Sequence, residues 1–512
     1  MSMKGKEQST NVKELAMILK LKQEEINKRI TVTDDQITHV NLNNLNLKEI
    51  PVELNNYPLI SNMELEDNKL TELSALDLPN LQVLSVAGNN FDSFDLFKKF
   101  SKLQDLNISR NKIAVIGDLE LKHLKYLDAS GNKIINILTN QLSDLEYLDL
   151  DSNEISTLES LHFPKLKYLD VSKNKLTKIT GLEDLPDLLG LHLSNNKIKT
   201  FTGLEKLIKL KELNLSHNEV ETLNDIPSLK HLEKLDLNEN KISEITDLSH
   251  LTSLQEIILS NNKLNSIKGL ELSSVVKLDL QGNFISDLPS LEKLERLEYI
   301  NLNNNSLTAL DFILKAKKLQ KLHLASNKVS LSDIKTLDHN LLAHLDLSSN
   351  EIESVPNLNF PALQYLDLSN NKINAIEGID KLENLKVLRL DNNHISRIQN
   401  LGTCKNLEDL RLSNNNIKSI LGLTTLRELM YLNLDSNQIT KIWGLKNNRK
   451  LQILLLNNNK IDLIPKTKIL EALHAKAINQ IDLRENPLSN DEGLKVLKEK
   501  NPSINIKVSS TA

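Results

Sequence analysis

The sequence predicts an α/β solenoid: a curved right-handed superhelix with a parallel sheet on its concave side, a mostly 3-10 or irregular convex side, and helical caps. One apolar pattern recurs in 21 units between Ile37 and the C-terminal end, with a mean spacing of about 22 residues. Glycine (14 of 512) and aromatic residues (3%) are scarce, so the core must be aliphatic. No single unit can bury its apolar face alone, so the units must stack.

The recurring pattern is Leu-x-x-Leu-x-Leu-x-x-Asn-x-Leu, numbered here as positions one to eleven of a repeat. Its alternating leucines predict a short strand with positions four and six in the core and positions three, five and seven on the concave face. An asparagine at position nine, such as Asn111, is expected to be buried and bonded to backbone groups of its own and the neighbouring repeat. Only the first unit departs, with Leu45 at that position.

The outer part of each repeat is predicted from position fourteen and from glycine. An aliphatic or Phe residue at position fourteen, such as Ile116, is expected to close the convex side of the core. Because 22 residues leave too little room for a full helix, this side should contain 3-10 or irregular segments. Six glycines are expected at a tight bend of the convex segment: Gly181, Gly203, Gly269, Gly378, Gly422 and Gly444.

The domain organisation predicted from this pattern has three parts. Residues 1–36 are expected to form an N-terminal helical cap, 37–488 a solenoid of about 21 repeats, and 489–512 a C-terminal cap and tail. Asn11 and Glu14 resemble a capping box that opens a helix over residues 11–30. The sequence also predicts a convex-side helix in the insertion Lys466–Ala477, a short helix over Asp491–Lys500 and an extended segment over Ser503–Val508.

Two units show the family resemblance plainly: LKYLDVSKNKL from Leu166 and LEKLDLNENKI from Leu232. They resemble the 22-residue class of leucine-rich repeats typified by the nuclear regulatory subunit of protein phosphatase 1. The resemblance implies a non-catalytic scaffold or regulatory subunit whose concave face grips a globular protein, with a type 1 serine/threonine phosphatase catalytic subunit as the leading partner. Similar units occur in ciliary, centrosomal, tubulin-cofactor and bacterial internalin-like proteins. A structural component of a cilium or centrosome and an internalin-like or effector-type host-binding protein therefore remain alternatives.

Composition indicates the cellular compartment of the protein and disfavours some classes of partner. Lys and Arg total 63 against 68 Asp and Glu, a net charge of −5 that disfavours a broad nucleic-acid footprint. The single cysteine, Cys404, excludes a disulfide framework and a cysteine-based zinc site. Neither a signal peptide nor an apolar stretch of membrane-spanning length is visible. We therefore expect a soluble, monomeric protein of the cytoplasm or nucleus that does not bind a membrane.

Three consecutive repeats place a tyrosine at position three and an aspartate at position five. Like charges on adjacent parallel strands repel, so this row should favour a cationic partner, with the tyrosines as rigid contact anchors. The alternative is that Leu-Asp-Leu is the repeat's consensus and that tyrosine merely covers exposed sheet. The candidate residues are Tyr126, Asp128, Tyr147, Asp149, Tyr168 and Asp170.

A second candidate protein-binding surface lies nearer the C-terminal end, where cations and exposed aliphatic residues occupy neighbouring repeats. Such a mixture is expected of an interface core with a polar rim. The alternative is a locally unusual surface, or packing of the aliphatic pair under the insertion at residues 466–477. The candidate residues are Arg389, Arg411, Tyr431, Ile453 and Leu455.

The sequence predicts no catalytic residue, metal site or cofactor. His323 and His344 fall in adjacent repeats on the concave face, where they are expected to approach each other, but no third ligand lies at a suitable spacing. Cys404 falls in a convex segment with His394 in the preceding turn, and no glycine-rich phosphate-binding motif occurs. A regular solenoid also lacks the enclosed, dry pocket that catalysis generally needs, so we do not expect an enzyme.

Overall fold

The computed structural model describes residues 12–509, except 15, 118–119, 139–141, 159–160, 290, 332–335, 465–476 and 489–491. By its internal contacts the chain divides into two compact units, residues 1–257 and 258–512, here called the N-terminal unit and the C-terminal unit. Each unit consists of repeats that contribute one short strand apiece to a parallel sheet. The predicted boundaries after residues 36 and 488 stay predictions.

The strands of the N-terminal unit pair in register, so that equivalent positions of successive repeats lie side by side. The apolar residue at position four of these strands, most often leucine, is essentially buried, while the residues on either side of it are mostly half-buried. This is the alternation that the sequence predicts. The strands are Gln36–Asn41, Asn62–Glu64, Val83–Ser85, Asp105–Asn107, Tyr126–Asp128, Tyr147–Asp149, Tyr168–Asp170, Gly190–His192, Glu212–Asn214 and Lys234–Asp236, and Glu256–Ile258 lies at the division between the units.

The C-terminal unit repeats the same arrangement. Its last strand, Asn505–Lys507, pairs in parallel with Gln480–Asp482, so the extended segment predicted over Ser503–Val508 adds a strand to the sheet. The helix predicted over Asp491–Lys500 is confirmed as Glu492–Lys500. The other strands are Lys277–Asp279, Tyr299–Asn301, Lys321–His323, His344–Asp346, Tyr365–Asp367, Val387–Arg389, Asp409–Arg411, Tyr431–Asn433 and Ile453–Leu455.

Buried asparagines hold successive repeats together, as predicted. The Asn111 amide nitrogen donates to the carbonyls of Val86, Ile108 and Ser109 at 3.0–3.1 Å, and its Oδ1 accepts from the Phe91 amide at 3.0 Å. One side chain thus satisfies backbone groups of its own and the preceding repeat. An aliphatic residue there would leave those groups unpaired, at a cost of about 1–3 kcal/mol each.

The convex side is built from 3-10 helices, short strands and bends. The six glycines predicted at the tight bend all have positive φ, between 70° and 107°. At Gly203 a Cβ atom would lie 1.6 Å from the Ile179 carbonyl oxygen, so only glycine fits. Elements outside the main sheet are the 3-10 helices Val52–Asn56, Phe94–Phe97, Leu291–Lys293 and Asp311–Lys315, and the parallel strand pairs Val115–Ile116 with Asn136–Ile137 and Thr336–Asp338 with Asn357–Asn359.

The N-terminal cap differs from the single helix predicted over residues 11–30. A turn at Lys20, whose φ is 54°, separates a first helical stretch from the helix Gln23–Arg29. Ile30 already belongs to a strand, Ile30–Thr33, which pairs antiparallel with Gln36–Asn41. The run Ile-Thr-Val-Thr is β-branched throughout, which favours a strand over a last helical turn. Asn11 of the predicted capping box and the predicted helix of the 466–477 insertion lie outside the described residues, apart from Ala477 in a turn.

Candidate functional site

The three predicted tyrosines form one stacked ladder on the concave face of the N-terminal unit. Their strands pair in register, with Tyr147 opposite both Tyr126 and Tyr168. The ring centroids lie 4.5 Å apart for Tyr126 and Tyr147 and 4.7 Å apart for Tyr147 and Tyr168, with the planes tilted by 11° and 4°. Adjacent strands are about 4.8 Å apart, so equal repeat lengths place the rings at stacking distance. All three rings are half-buried.

The ladder ends at Tyr168 through a glycine and a histidine of the next repeat. Gly190 occupies position three, and a Cβ atom there would lie 3.0 Å from Cδ2 of Tyr168. The ring therefore leans over the glycine towards His192, whose Nδ1 is hydrogen-bonded to the tyrosine hydroxyl at 2.8 Å. The two rings meet edge to face at 4.9 Å. Sequence reasoning missed Gly190 and His192, although both break the Tyr-Leu-Asp pattern of the preceding repeats.

The aspartates beside the ladder are held by their own strands. Asp128 Oδ1 accepts the backbone amide of Ser130 at 3.0 Å and its hydroxyl at 2.7 Å. Asp149 and Asp170 accept the amide two residues further along in the same way, at 2.8 Å. One carboxylate oxygen thus orders the end of the strand. The consensus explanation for aspartate at position five therefore has a physical basis, and the carboxylates are fixed in orientation.

The pKa values of the neighbouring residues Asp149 and Asp170 are shifted in opposite directions. Burial, helped by the negative charges of Asp170 and Asp128, raises the pKa of Asp149 to about 6. Burial also acts to raise the pKa of Asp170, but contacts with His192 and Ser172 outweigh it and lower that pKa. Burial and the adjacent aspartates raise the pKa of the Tyr147 and Tyr168 hydroxyls above the usual value, so both remain protonated at neutral pH.

Charge on the concave face differs between the two units at positions three and five of the strands. In the N-terminal unit these positions hold one lysine, Lys234, and eight carboxylates: Glu64, Asp105, Asp128, Asp149, Asp170, Glu212, Asp236 and Glu256. In the C-terminal unit the numbers are equal, with Lys277, Lys321, Arg389, Arg411 and Lys507 against Asp279, Asp346, Asp367, Asp409 and Asp482.

A second aromatic row crosses four repeats of the C-terminal unit. Ring centroids lie 5.4 Å apart for Tyr299 and His323, 4.6 Å for His323 and His344, and 4.1 Å for His344 and Tyr365. His323 occupies position five while the other three occupy position three, so the row does not follow one column of the repeat. That offset is why the sequence did not reveal it, although the proximity of the two histidines was expected.

The histidines of this row are held neutral. Burial lowers the pKa of His323, opposed in part by Asp346 and Asp279. Burial, together with the neighbouring His323, lowers the pKa of His344 to about 4. At neutral pH the row is therefore a stack of uncharged rings.

The second predicted surface is only partly open. The Arg389 guanidinium lies 5.3 Å from the Tyr365 ring centroid, and its Nη1 is 3.5 Å from Asp367 Oδ2. Arg411 pairs with Asp409 of its own strand at 2.9 Å and lies 4.8 Å from the centroid of Tyr431. Both arginines are thus engaged within the chain.

The aliphatic pair of that surface remains half-exposed. Ile453 and Leu455 flank the buried Leu454 on a strand that pairs with Tyr431–Asn433 and Gln480–Asp482. The structure thus places all eleven predicted residues on the concave sheet, six in the N-terminal unit and five in the C-terminal unit. Their role in binding stays a prediction.

The described part of the chain shows no sign of a metal site, a reactive thiol or a membrane-spanning helix. There, no three His, Cys, Asp or Glu side chains gather closely enough to hold a metal ion. Cys404 is fully buried, with its sulfur 3.7 Å from the Ile379 carbonyl oxygen, and burial raises the pKa of the thiol. No described helix has the length and apolar character to cross a membrane.

Comparison with known families matches the repeat. The family model "Leucine Rich repeats (2 copies)" matches residues 143–184, 164–206, 186–228, 208–250, 273–315, 341–381 and 383–428. The chain is a leucine-rich-repeat protein. Comparison of this leucine-rich-repeat protein with curated proteins gives no significant match.

Solved structures share the fold. YopM from Yersinia enterocolitica is 24% identical, with a TM-score of 0.63 over 92% of this chain and 91% of its own. A leucine-rich-repeat protein of Leptospira interrogans, LIC12759, is 24% identical, with a TM-score of 0.51 over 92% and 95%. The plant peptide hormone receptor RGFR1, in complex with RGF2, is 21% identical, with a TM-score of 0.52 over 94% of both chains. At these identities the likeness concerns the fold.

Proposed function

We propose that this protein is a non-catalytic interaction scaffold whose N-terminal unit binds a cationic surface of a protein partner. The observation that supports this proposal best is the concave face of that unit, which presents eight carboxylates and one lysine at positions three and five of its strands together with three stacked tyrosines. Charge complementarity of this kind guides the encounter and selects the partner. Leucine-rich-repeat proteins typically act as protein-interaction scaffolds, which supports a protein as the ligand.

The ladder suits contact because it is ordered before the partner arrives. Stacking restricts the tyrosine rings, and hydrogen bonds from the strand fix the aspartates Asp128, Asp149 and Asp170. Little side-chain entropy is then lost on binding, and tyrosine offers a large contact area for few rotatable bonds.

The leading candidate for the protein partner comes from the family resemblance. Resemblance to the 22-residue class names a type 1 serine/threonine phosphatase catalytic subunit, with this chain as a monomeric regulatory subunit in the cytoplasm or nucleus. Recovery of tubulin or dynein proteins would instead favour a structural role in a cilium or centrosome. Recovery of a surface protein of a host cell would favour an internalin-like or effector-type role.

Affinity capture followed by quantitative mass spectrometry tests the proposal. The chain is compared with the triple variant Tyr126→Ala, Tyr147→Ala and Tyr168→Ala, and the recovered partner is then purified and titrated by calorimetry. We expect the triple variant to lose at least tenfold in affinity, because the ladder is the centre of the proposed interface. Raising the salt concentration should weaken binding of the unaltered chain.

A matched control removes the same number of position-three tyrosines from the C-terminal unit: Tyr299→Ala, Tyr365→Ala and Tyr431→Ala. Binding should survive this control. Unchanged affinity in the N-terminal triple variant would refute the proposal. The reciprocal result, with loss only in the C-terminal variant, would transfer the binding role to the surface of Arg389, Arg411 and Tyr431, which holds the second candidate site.

A further inference from the structure

The two aromatic rows end differently, and the C-terminal row shows what a completed end looks like. Lys277 Nζ lies 5.6 Å from the ring centroid of Tyr299, and the Arg389 guanidinium lies 5.3 Å from that of Tyr365. A cation over an aromatic face is attracted by the ring quadrupole, by about 0.5–2 kcal/mol. Both terminal rings of this row therefore have a cation supplied by the chain itself.

The N-terminal ladder is completed internally at one end only. At Tyr168 it passes to His192, whose Nε2 lies 3.8 Å from Glu212 Oε1. Lys234 in turn pairs with that same Glu212 oxygen at 2.9 Å. Ring, imidazole, carboxylate and ammonium thus follow one another across the sheet, and the negative charge at this end has a partner.

At the opposite end, at Tyr126, the described residues supply no such partner. One face of the Tyr126 ring stacks on Tyr147, so its other face is turned towards the preceding strand, where Asp105 is the residue opposite in register. In the described part of the chain no Lys or Arg lies over this ring, and no side chain forms a hydrogen bond or ion pair with the Asp105 carboxylate. Burial, reinforced by Asp128, raises the pKa of Asp105, and no cation offsets that rise.

We propose that Tyr126 and Asp105 together receive a single arginine side chain of the protein partner. The planar guanidinium stacks on the face of Tyr126 that is turned away from Tyr147, while its N–H groups donate to the Asp105 carboxylate. Arginine fits better than lysine, because its planar group can stack and donate two parallel hydrogen bonds at once. The inference rests on the proposed function, since it specifies the residue by which the partner enters the same acidic face.

Ring signals of tyrosine provide the direct test. The full chain has seven tyrosines, so labelling with ring-ε 13C gives a small set of NMR signals that single Tyr→Phe variants assign. An acetylated, amidated hexa-arginine peptide is the probe, and a hexa-citrulline peptide of the same shape without charge is the control. We expect the arginine peptide to shift the Tyr126 signal most, saturably, and the citrulline peptide to leave it in place.

Two substitutions make the test specific. Asp105→Asn keeps the shape of the side chain and should weaken peptide binding at Tyr126 about tenfold, with unchanged hydrogen exchange of the repeat as evidence of folding. Arg389→Gln should uncover the Tyr365 face, so that the Tyr365 signal, silent in the unaltered chain, begins to respond. An unresponsive Tyr365 would count against the premise that an uncovered ring face beside a carboxylate recruits the cation.

Several results would overturn the inference. It fails if the Tyr126 signal stays in place at saturating arginine peptide, if citrulline peptide shifts it equally, or if Asp105→Asn binds as well as the unaltered chain. The proposed function can survive such a failure. A partner that is lost from the triple tyrosine variant but retained by Asp105→Asn would uphold the concave interface and remove the arginine receptor from it.

Discussion

The two aromatic rows are built on the same kind of repeat but differ in the charge that surrounds them. In the N-terminal unit the ladder Tyr126–Tyr147–Tyr168 has carboxylates beside it, and no lysine or arginine of the described residues lies over its first ring. In the C-terminal unit the row from Tyr299 to Tyr365 has a cation at each end, and the charges around it balance. Stacked rings therefore stabilise the sheet in both units, whereas only the N-terminal row is left with unsatisfied charge. Function on this solenoid follows from that residue chemistry and not from the fold.

The same comparison predicts opposite responses to pH. Beside the N-terminal ladder lies Asp149, whose pKa is raised to about 6, so its ionised form is disfavoured in the folded state. The C-terminal row contains His344, whose pKa is lowered to about 4, so its protonated form is disfavoured. Ionisation of Asp149 should therefore lower the stability of the N-terminal unit as the pH rises, and protonation of His344 should lower the stability of the C-terminal unit as the pH falls.

The largest effect is expected from Gly190→Val, which breaks the N-terminal ladder at its histidine end. A Cβ atom at this position lies 3.0 Å from Cδ2 of Tyr168, and the two methyl groups of valine crowd the ring further, so the ring must shift and its hydrogen bond to His192 should weaken. Overpacking of this kind costs about 1–3 kcal/mol. Hydrogen exchange of the segments around Tyr168 and His192 measures the loss, and those around Tyr365 should be unaffected.

Gly402→Ala is the matched control, because a Cβ atom at residue 402 has no neighbour within 4 Å. This variant should exchange like the unaltered chain. If Gly190→Val also did so, the contact of Tyr168 with the glycine would not be what holds the ring against His192.

Much of this comparison could be predicted from sequence, for a definite reason. Equal spacing of 21 residues between Tyr126, Tyr147 and Tyr168 is enough to put the rings in one column, because a repeat contributes one strand at a fixed position. The C-terminal row was missed because His323 enters it from position five, and which way a side chain leans depends on its neighbours. The turn at Lys20 was missed because the helical pattern of apolar residues runs straight through it.

Arg389→Gln should have the next largest effect, by opening the end of the C-terminal row. Asp367 is 6% exposed and accepts from the Ser369 amide and hydroxyl as well as the Tyr365 hydroxyl, but Arg389 is the cation beside it. Leaving that carboxylate unpaired and the Tyr365 ring uncovered should cost about 1–2 kcal/mol. Denaturant unfolding measures the change, with a response expected in the C-terminal unit only.

Arg397→Gln provides the comparison, since Arg397 is an exposed arginine of the same repeat. Its loss should change stability by less than about 0.5 kcal/mol. Equal effects of the two substitutions would mean that general charge, rather than the contacts with Tyr365 and Asp367, stabilises this end.

The double variant His323→Gln and His344→Gln should flatten the acid response of the C-terminal unit. An unfolded histidine binds a proton near pH 6.5, whereas burial lowers the pKa of both folded residues, that of His344 to about 4. Stability is thus complete above about pH 6.5 and falls as the pH drops towards 4. Both rings are half-exposed, so screening should limit the loss to on the order of 1 kcal/mol.

Thermal unfolding at pH 7.5 and pH 5.0 measures this difference. Between pH 7.5 and pH 5.0 the C-terminal unit of the unaltered chain should lose more stability than that of the double variant, because the variant lacks the two histidines that take up protons on unfolding. His394→Gln, at an exposed histidine outside the row, should keep the difference seen in the unaltered chain. An unchanged difference in the double variant would show that other groups cause the acid response.

Asp149→Asn should have the smallest effect and the opposite sign. Because the pKa of Asp149 is raised from its usual value to about 6, the folded state loses stability as the pH rises through 6, while an asparagine stays neutral and can still accept the Asp151 amide. The variant should be more stable than the unaltered chain by about 0.5 kcal/mol at pH 7.5, since this carboxylate is partly solvated, and the difference should shrink as the pH falls towards 3.8. Asp170→Asn, in the next repeat, is the sharpest control: contacts with His192 and Ser172 lower the pKa of Asp170, so this substitution should destabilise the unit at pH 7.5. Two neighbouring aspartates of one ladder would then respond to the same substitution with opposite signs, and a shared sign would contradict the assignment of their environments.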